Sequence, residues 1–168
     1  MSNLPLREEI DEIYKWKLED IYENEELWEQ DYSEVKSKLS LFDEYRGNID
    51  TAEKLLGLLK LKDEETMKVD RLFTYARMRR DEDNSLAKYQ ALSDRAMSLV
   101  VELSSRTSFI EPEILAIPEE KLRTFLGQNK ELKLYEHYLE NLFRMKAHIL
   151  DAEKERMLAE VSEILQSP

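Results

Sequence analysis

The scarcity of chain breakers constrains this sequence most. Three glycines and four prolines occur in 168 residues, and none of them falls between Gly57 and Pro112. A β-sandwich or barrel needs turn signals roughly every 8–12 residues. Long stretches without them leave helices as the regular structure that fits. The predicted fold class is therefore all-α, an irregular antiparallel helical bundle preceded by an extended N-terminal arm.

Residues 1–23 form the predicted arm. They lack a helical period, and Trp16, Leu18 and Asp20 alternate with Lys17, Glu19 and Ile21 as in an extended segment. Residues 24–110 form a predicted bundle of about four helices. Asn24 is placed to cap the first, whose Trp28, Tyr32, Val35, Leu39 and Phe42 recur at three- and four-residue steps until Gly47. Asp50 or Thr51 caps a second, leucine-dense helix to about Leu61, in which Gly57 costs about 1 kcal/mol relative to alanine and suggests close packing. Asp63, Glu64 and Glu65 read as the acidic first turn of a third helix, with Met67, Leu72, Tyr75 and Ala76 inward, ending near Arg80. After the polar run 81–84, Ser85 caps a fourth helix carrying Tyr89, Leu92, Ala96, Leu99 and Leu103. The connection is short enough for an antiparallel pair.

Residues 111–168 are a second helical segment. Pro112 and Pro118 suit helix starts, and a short helix from Pro118 ends near Gly127. Leu132, Tyr135, Leu139, Leu142 and Phe143 mark another helix, and Met157, Leu158, Val161, Ile164 and Leu165 a last one. No fixed-period repeat or sustained heptad is present, which disfavours a solenoid or a long coiled coil.

Composition excludes several functions. The formal charge is −12, from 37 acidic and 25 basic side chains, so the molecular field repels phosphate backbones and anionic lipid. No nucleic-acid partner is expected. No apolar run approaches the roughly 18 residues of a membrane span, so no membrane partner is expected either. Three acidic groups in Met1–Asp11 argue against a signal or transit peptide. The absence of cysteine excludes thiol catalysis, disulfides and thiolate-bound zinc, and fits a reducing, cytoplasmic location.

The chemistry-bearing residues do not assemble into a reaction centre. A helix-borne zinc hydrolase sets two histidines four residues apart around a glutamate base. Here His137 and His148 stand 11 residues apart, about 16 Å along a shared helix at 1.5 Å per residue. The run Asp81, Glu82, Asp83 suggests calcium, but Leu86 and Leu92 occupy the positions an EF-hand gives to glycine and glutamate. Ser85, Ser104, Ser105 and Ser108 lack a nucleophile elbow. Arg71, Arg77, Arg79 and Arg80 are the one basic concentration, and Glu64, Glu65, Asp70, Asp81 and Glu82 stand near enough to pair with them. Catalytic, metal and cofactor residues are therefore expected to be none in this chain, and a substrate-binding set stays unassigned.

Several segments resemble the oligoendopeptidase F family, zinc peptidases of the thimet-oligopeptidase type. They are Trp16–Tyr22 (WKLEDIY), Arg71–Arg79 (RLFTYARMR) with Asp81–Asp83 behind it, and Tyr89–Ala96 (YQALSDRA). Ser108–Leu115 (SFIEPEIL) running on to Pro118–Lys121, and Tyr138–His148 (YLENLFRMKAH), complete the set in the family's order. The resemblance implies an amino-terminal, non-catalytic helical domain that roofs a channel and restricts access to short peptides. It also implies a zinc-binding His-Glu-x-x-His motif downstream, so zinc belongs to the parent enzyme, and the downstream catalytic domain is the partner. Family members continue past Pro168, so the resemblance implies that this chain is a fragment, expected to be inactive alone. The alternative from the residues themselves is a free-standing helical interaction module without enzymatic activity.

Overall fold

The computed structural model describes residues 9–146. Among them regular structure is entirely helical, with no strand. The α-helices are α1 (Glu25–Lys38), α2 (Ala52–Glu82), α3 (Ala87–Thr107), α4 (Ile110–Ala116), α5 (Glu119–Gln128) and α6 (Glu136–Lys146). The chain divides into two compact units, residues 1–110 and 111–168. The stripe from Met157 to Leu165 lies outside the described residues.

Two of the predicted caps act as caps. Asn24 Oδ1 accepts from the Leu27 amide at 3.0 Å, and Thr51 Oγ1 from the Lys54 amide at 3.2 Å. Each satisfies one of the amides that a helix start leaves without a partner. Gly47, at φ 69°, takes the left-handed conformation in the turn before α2, where a side chain is strained.

In the first unit α2 is the central element. Moving up α1, Trp28, Glu34 and Lys38 meet Leu72, Lys68 and Glu65 of α2 in descending order, so the two helices are antiparallel. Glu25, Glu29 and Lys36 meet Lys88, Arg95 and Glu102 of α3 in ascending order, so α1 and α3 are parallel. A four-residue connection returns α3 antiparallel to α2, and this pair makes the most extensive helix contact. The core gathers Trp28, Val35, Leu39, Phe42, Leu55, Leu58, Leu59, Leu72, Tyr75 and Leu99.

Three expectations for the helices need correction. The second and third predicted helices are one, because α2 runs unbroken through Asp63. An acidic triplet is as compatible with a helix interior as with a first turn, and neither glycine nor proline stops the chain there. Met67, expected inward, is 73% exposed; the buried face passes instead through Leu58, Glu65, Val69, Leu72 and Ala76. Ser85 does not cap α3, which begins at Ala87 with Leu86 at the cap position. The Ser85 hydroxyl and amide both donate to Asp83 Oδ1, at 2.6 and 2.9 Å, closing a local side-chain turn instead.

The described part of the arm is not evenly extended. It contains single 3-10 turns at Glu12–Tyr14 and Leu18–Asp20, and the second is closed by the Ile21 and Tyr22 amides on the Leu18 carbonyl. Leu18 is thereby buried while Trp16 is left outside, although strict alternation puts both on one face.

In the second unit, Ile114, Leu122, Phe125, Leu132, Leu139 and Leu142 are buried. Lys146 Nζ donates to the Leu115 carbonyl at 2.7 Å, and the Tyr138 hydroxyl reaches Glu111 at 3.4 Å.

Candidate functional site

Two arginines of the basic concentration on α2, Arg71 and Arg79, contact the arm, and each of the four is occupied. Arg71 donates from Nε to the Ile21 carbonyl at 3.0 Å, donates again from Nη2, and lies 4.4 Å from the centre of the Tyr22 ring. Tyr22 is buried, meets Tyr75 edge-on at 5.4 Å, and donates from its hydroxyl to Asp31 at 2.8 Å. Burial, followed by that bond to Asp31, pushes the phenol pKa well up. Arg79 pairs with Glu19 at 2.5 Å and Glu82 at 3.0 Å, and its bond to Glu19 holds that carboxyl below its ordinary range. Arg80 pairs with Asp81 at 2.9 Å, and Arg77 stands 3.8 Å from the same aspartate. Asp81 and Glu82 were legible as partners. Glu19, Ile21 and Tyr22 were not, since 50 to 60 residues separate them from the arginines.

Two clefts open beside this clamp. One, of about 410 Å³, is lined by Glu12, Lys15, Trp16, Lys17, Glu19 and Arg79, with Glu82. The other, of about 290 Å³, takes in Tyr14, Trp16, Leu18, Met78 and Asp81. In the second unit a groove of about 480 Å³ between α5 and α6 has Leu122, Leu126, Leu139 and Phe143 among its lining, with Arg123 and Arg144 beside them.

Among the described residues no three His, Cys, Asp or Glu side chains are placed to hold a metal ion. His137 is exposed and shares a 2.9 Å contact with Asn141, and His148 lies outside the described residues. Asp83 serves the local turn, where its bonds from Ser85 hold its carboxyl below the ordinary range. No described helix is long and apolar enough to cross a membrane.

Sequence reasoning missed Glu65. It was read as a possible arginine partner, yet its side chain is 0% exposed and neither oxygen accepts a hydrogen bond. Lys38 Nζ lies 3.4 Å away, at ion-pair distance but without hydrogen-bond geometry, and is itself held by Glu34 at 2.7 Å. Lys68 closes the group through Glu34 at 2.6 Å. Burial pushes the Glu65 carboxyl above its ordinary range, against the pull of Lys38 and Lys68 and with that of Glu34. The signal available in the sequence was its place between Leu58 and Val69 on the core stripe.

Comparison with known proteins gives consistent likenesses. A family model described as Oligopeptidase F matches residues 113–168. Oligopeptidase PepF of Bacillus subtilis is 38% identical over 167 residues, 99% of this chain and 25% of that protein. The plasmid-borne oligoendopeptidase F of Lactococcus lactis subsp. cremoris is 38% identical over 164 residues, 96% of this chain and 27% of the relative. The crystal structure of oligoendopeptidase-F from Enterococcus faecium superposes with a TM-score of 0.69 at 28% identity, over 84% of this chain and 28% of that one. The chain thus spans about a quarter of the length of the relatives it matches. These likenesses, with a fold that is strand-free among the described residues, define a class: helical regions similar to part of the oligopeptidases named above. Within that class the likenesses are to an amino-terminal portion of the oligoendopeptidase F family.

Proposed function

We propose that this chain is the non-catalytic, amino-terminal helical domain of a zinc metallo-oligoendopeptidase, roofing the channel of the parent enzyme and restricting its substrates to short peptides. The observation that carries the reading is the 38% identity along 99% of the chain to one quarter of a named oligopeptidase. Residues 1–23 serve as the arm, 24–110 as a helical bundle and 111–168 as the start of a second helical segment. The parent enzyme hydrolyses peptide bonds in oligopeptides, in the cytoplasm, with the downstream catalytic domain as this region's partner. The described residues offer no ligand set for the zinc that the family implies, so the metal is assigned to the downstream part and no chemical step is derived through this chain.

The test compares the chain alone with the chain fused to the carboxy-terminal three quarters of the Bacillus subtilis relative. Metal content and hydrolysis of a quenched short peptide are measured on both. The chain alone is expected to be metal-free and inert, and the fusion to bind about one zinc in the tetrahedral manner of such sites and to cleave. Hydrolysis by the chain alone would overturn the reading, as would a folded, zinc-loaded fusion that cleaves nothing.

A further inference from the structure

Ile13, Tyr14 and Trp16 are 81%, 76% and 78% exposed. Isolated apolar side chains in water are ordinary, but three within four positions concentrate exposed apolar surface on one short stretch. The segment beside them is fixed by specific contacts. Leu18 and Tyr22 are buried, the Ile21 carbonyl accepts from Arg71, and Glu19 pairs with Arg79. Trp16 itself lines both clefts beside the clamp. A tryptophan and a tyrosine beside concave surface and next to a fixed segment have the makeup of an interface anchor, because each buries a large area with few rotamers to order.

We infer that Ile13, Tyr14 and Trp16 form a docking anchor that the clamp of Arg71 and Arg79 presents to the downstream three quarters of the parent polypeptide. This rests on the family reading above. The size of the patch favours that occupant over a second copy. A stable dimer needs roughly 800 Å² per partner, more than three side chains supply, whereas a covalently attached partner arrives at an effective concentration in the millimolar range. The length of chain required is present in the relatives, where the matched region makes up only 25–27% of the protein. The carboxylates nearby, Glu12, Glu19 and Asp81, are already paired with Lys15, Arg79 and Arg80, so what the patch offers a partner is apolar surface.

Hydroxyl-radical footprinting read by mass spectrometry tests this on the chain alone and on the fusion, with Trp28, which is fully buried, as the protected reference. Trp16 is expected to oxidise rapidly in the chain at every concentration and to fall to the level of Trp28 in the fusion. Trp16→Ala is expected to leave the melting temperature of the chain unchanged and to lower that of the fusion. Equal Trp16 reactivity in both proteins overturns the inference. So does protection that grows with the concentration of the chain alone, which would assign the patch to a second copy. Protection already present in the dilute chain overturns it too, since the chain's own residues would then cover the patch. An active fusion with a reactive Trp16 sinks the anchor alone; an inactive fusion with a protected Trp16 sinks the peptidase reading and keeps the contact. Inactivity together with a reactive Trp16 counts against both.

Discussion

Glu65 occupies a place on α2 whose neighbours along the same face are leucine, valine and alanine. A buried carboxylate without hydrogen bonds is costly when ionised, and the 3.4 Å approach of Lys38 offsets only part of that cost. Its raised folded-state pKa sets the sign of the pH dependence. Below the unfolded value of 4.5 the group is protonated in both states and exacts no ionisation penalty. As pH rises above 4.5 the unfolded chain ionises first, and stability falls until the folded carboxyl ionises as well. Glu34 acts oppositely. Lys38 and then Lys68 hold it at about 2, so its contribution is present above 4.5 and is lost as pH falls toward 2. Glu65→Met keeps the volume and leaves Lys38 paired with Glu34, so it is expected to stabilise the chain by about 1 kcal/mol or more at pH 7. The gain should shrink below pH 4.5. Urea unfolding at pH 7 and pH 4 measures it, and a loss of stability at pH 7 would contradict the assignment. The caps at Asn24 and Thr51 were legible in the sequence because a cap acts within three residues. The loneliness of Glu65 was not, because it depends on what the other helices bring near it.

Among the elements, α2 shows how local signals mislead when each is read singly. Asp63 followed by two glutamates matches a helix start, but a start exists only where the preceding helix has stopped, and nothing between Leu61 and Asp63 stops it. Gly57 was read correctly as a mark of close approach. A Cβ added there would lie 2.8 Å from the Tyr45 hydroxyl, with the ring carbons beyond it at an ordinary 3.6 Å. The obstacle to alanine is therefore one oxygen. Gly57→Ala alone is expected to gain less than the about 1 kcal/mol that helix propensity supplies, since Tyr45 must move. In a Tyr45→Phe background the same substitution should recover about that full amount. Denaturant unfolding of the two single variants and the double variant checks this, and equal effects of Gly57→Ala in both backgrounds would refute the steric account.

The whole molecule divides into two compact units at Ile110, and the first contains a core of its own around Trp28 and Tyr75. Trp28 joins α1 to α2 through Nε1, which donates to the Leu72 carbonyl at 3.0 Å, and Tyr32 stacks on its ring at 5.1 Å. Exposed ion pairs between elements, such as Lys36 with Glu102, add at most about 1 kcal/mol each, so burial has to carry this unit. Residues 1–110 expressed by themselves are therefore expected to unfold cooperatively in urea. A single transition, followed both by helical circular dichroism and by tryptophan fluorescence, whose change comes from the buried Trp28 because Trp16 is already exposed, is the expected result. A broad transition, or fluorescence that decouples from helicity, would show that the second unit is needed for folding.

The sequence by itself determined the helical class, the caps of α1 and α2, the turn at Gly47, and the likeness to a family through segments whose order is preserved. These are properties of neighbouring residues or of residue identity along the chain, and they need no knowledge of what folds against what. Only the tertiary structure decided that α2 is continuous, that Arg71 and Arg79 clamp the arm, that Glu65 is buried without a hydrogen bond, and that Trp16 stands outside. The continuity of α2 turns on the lack of a local stop, and the others on what residues tens of positions apart bring together. Periodicity marks which face of a helix is apolar, while burial and pairing depend on the surface that meets that face.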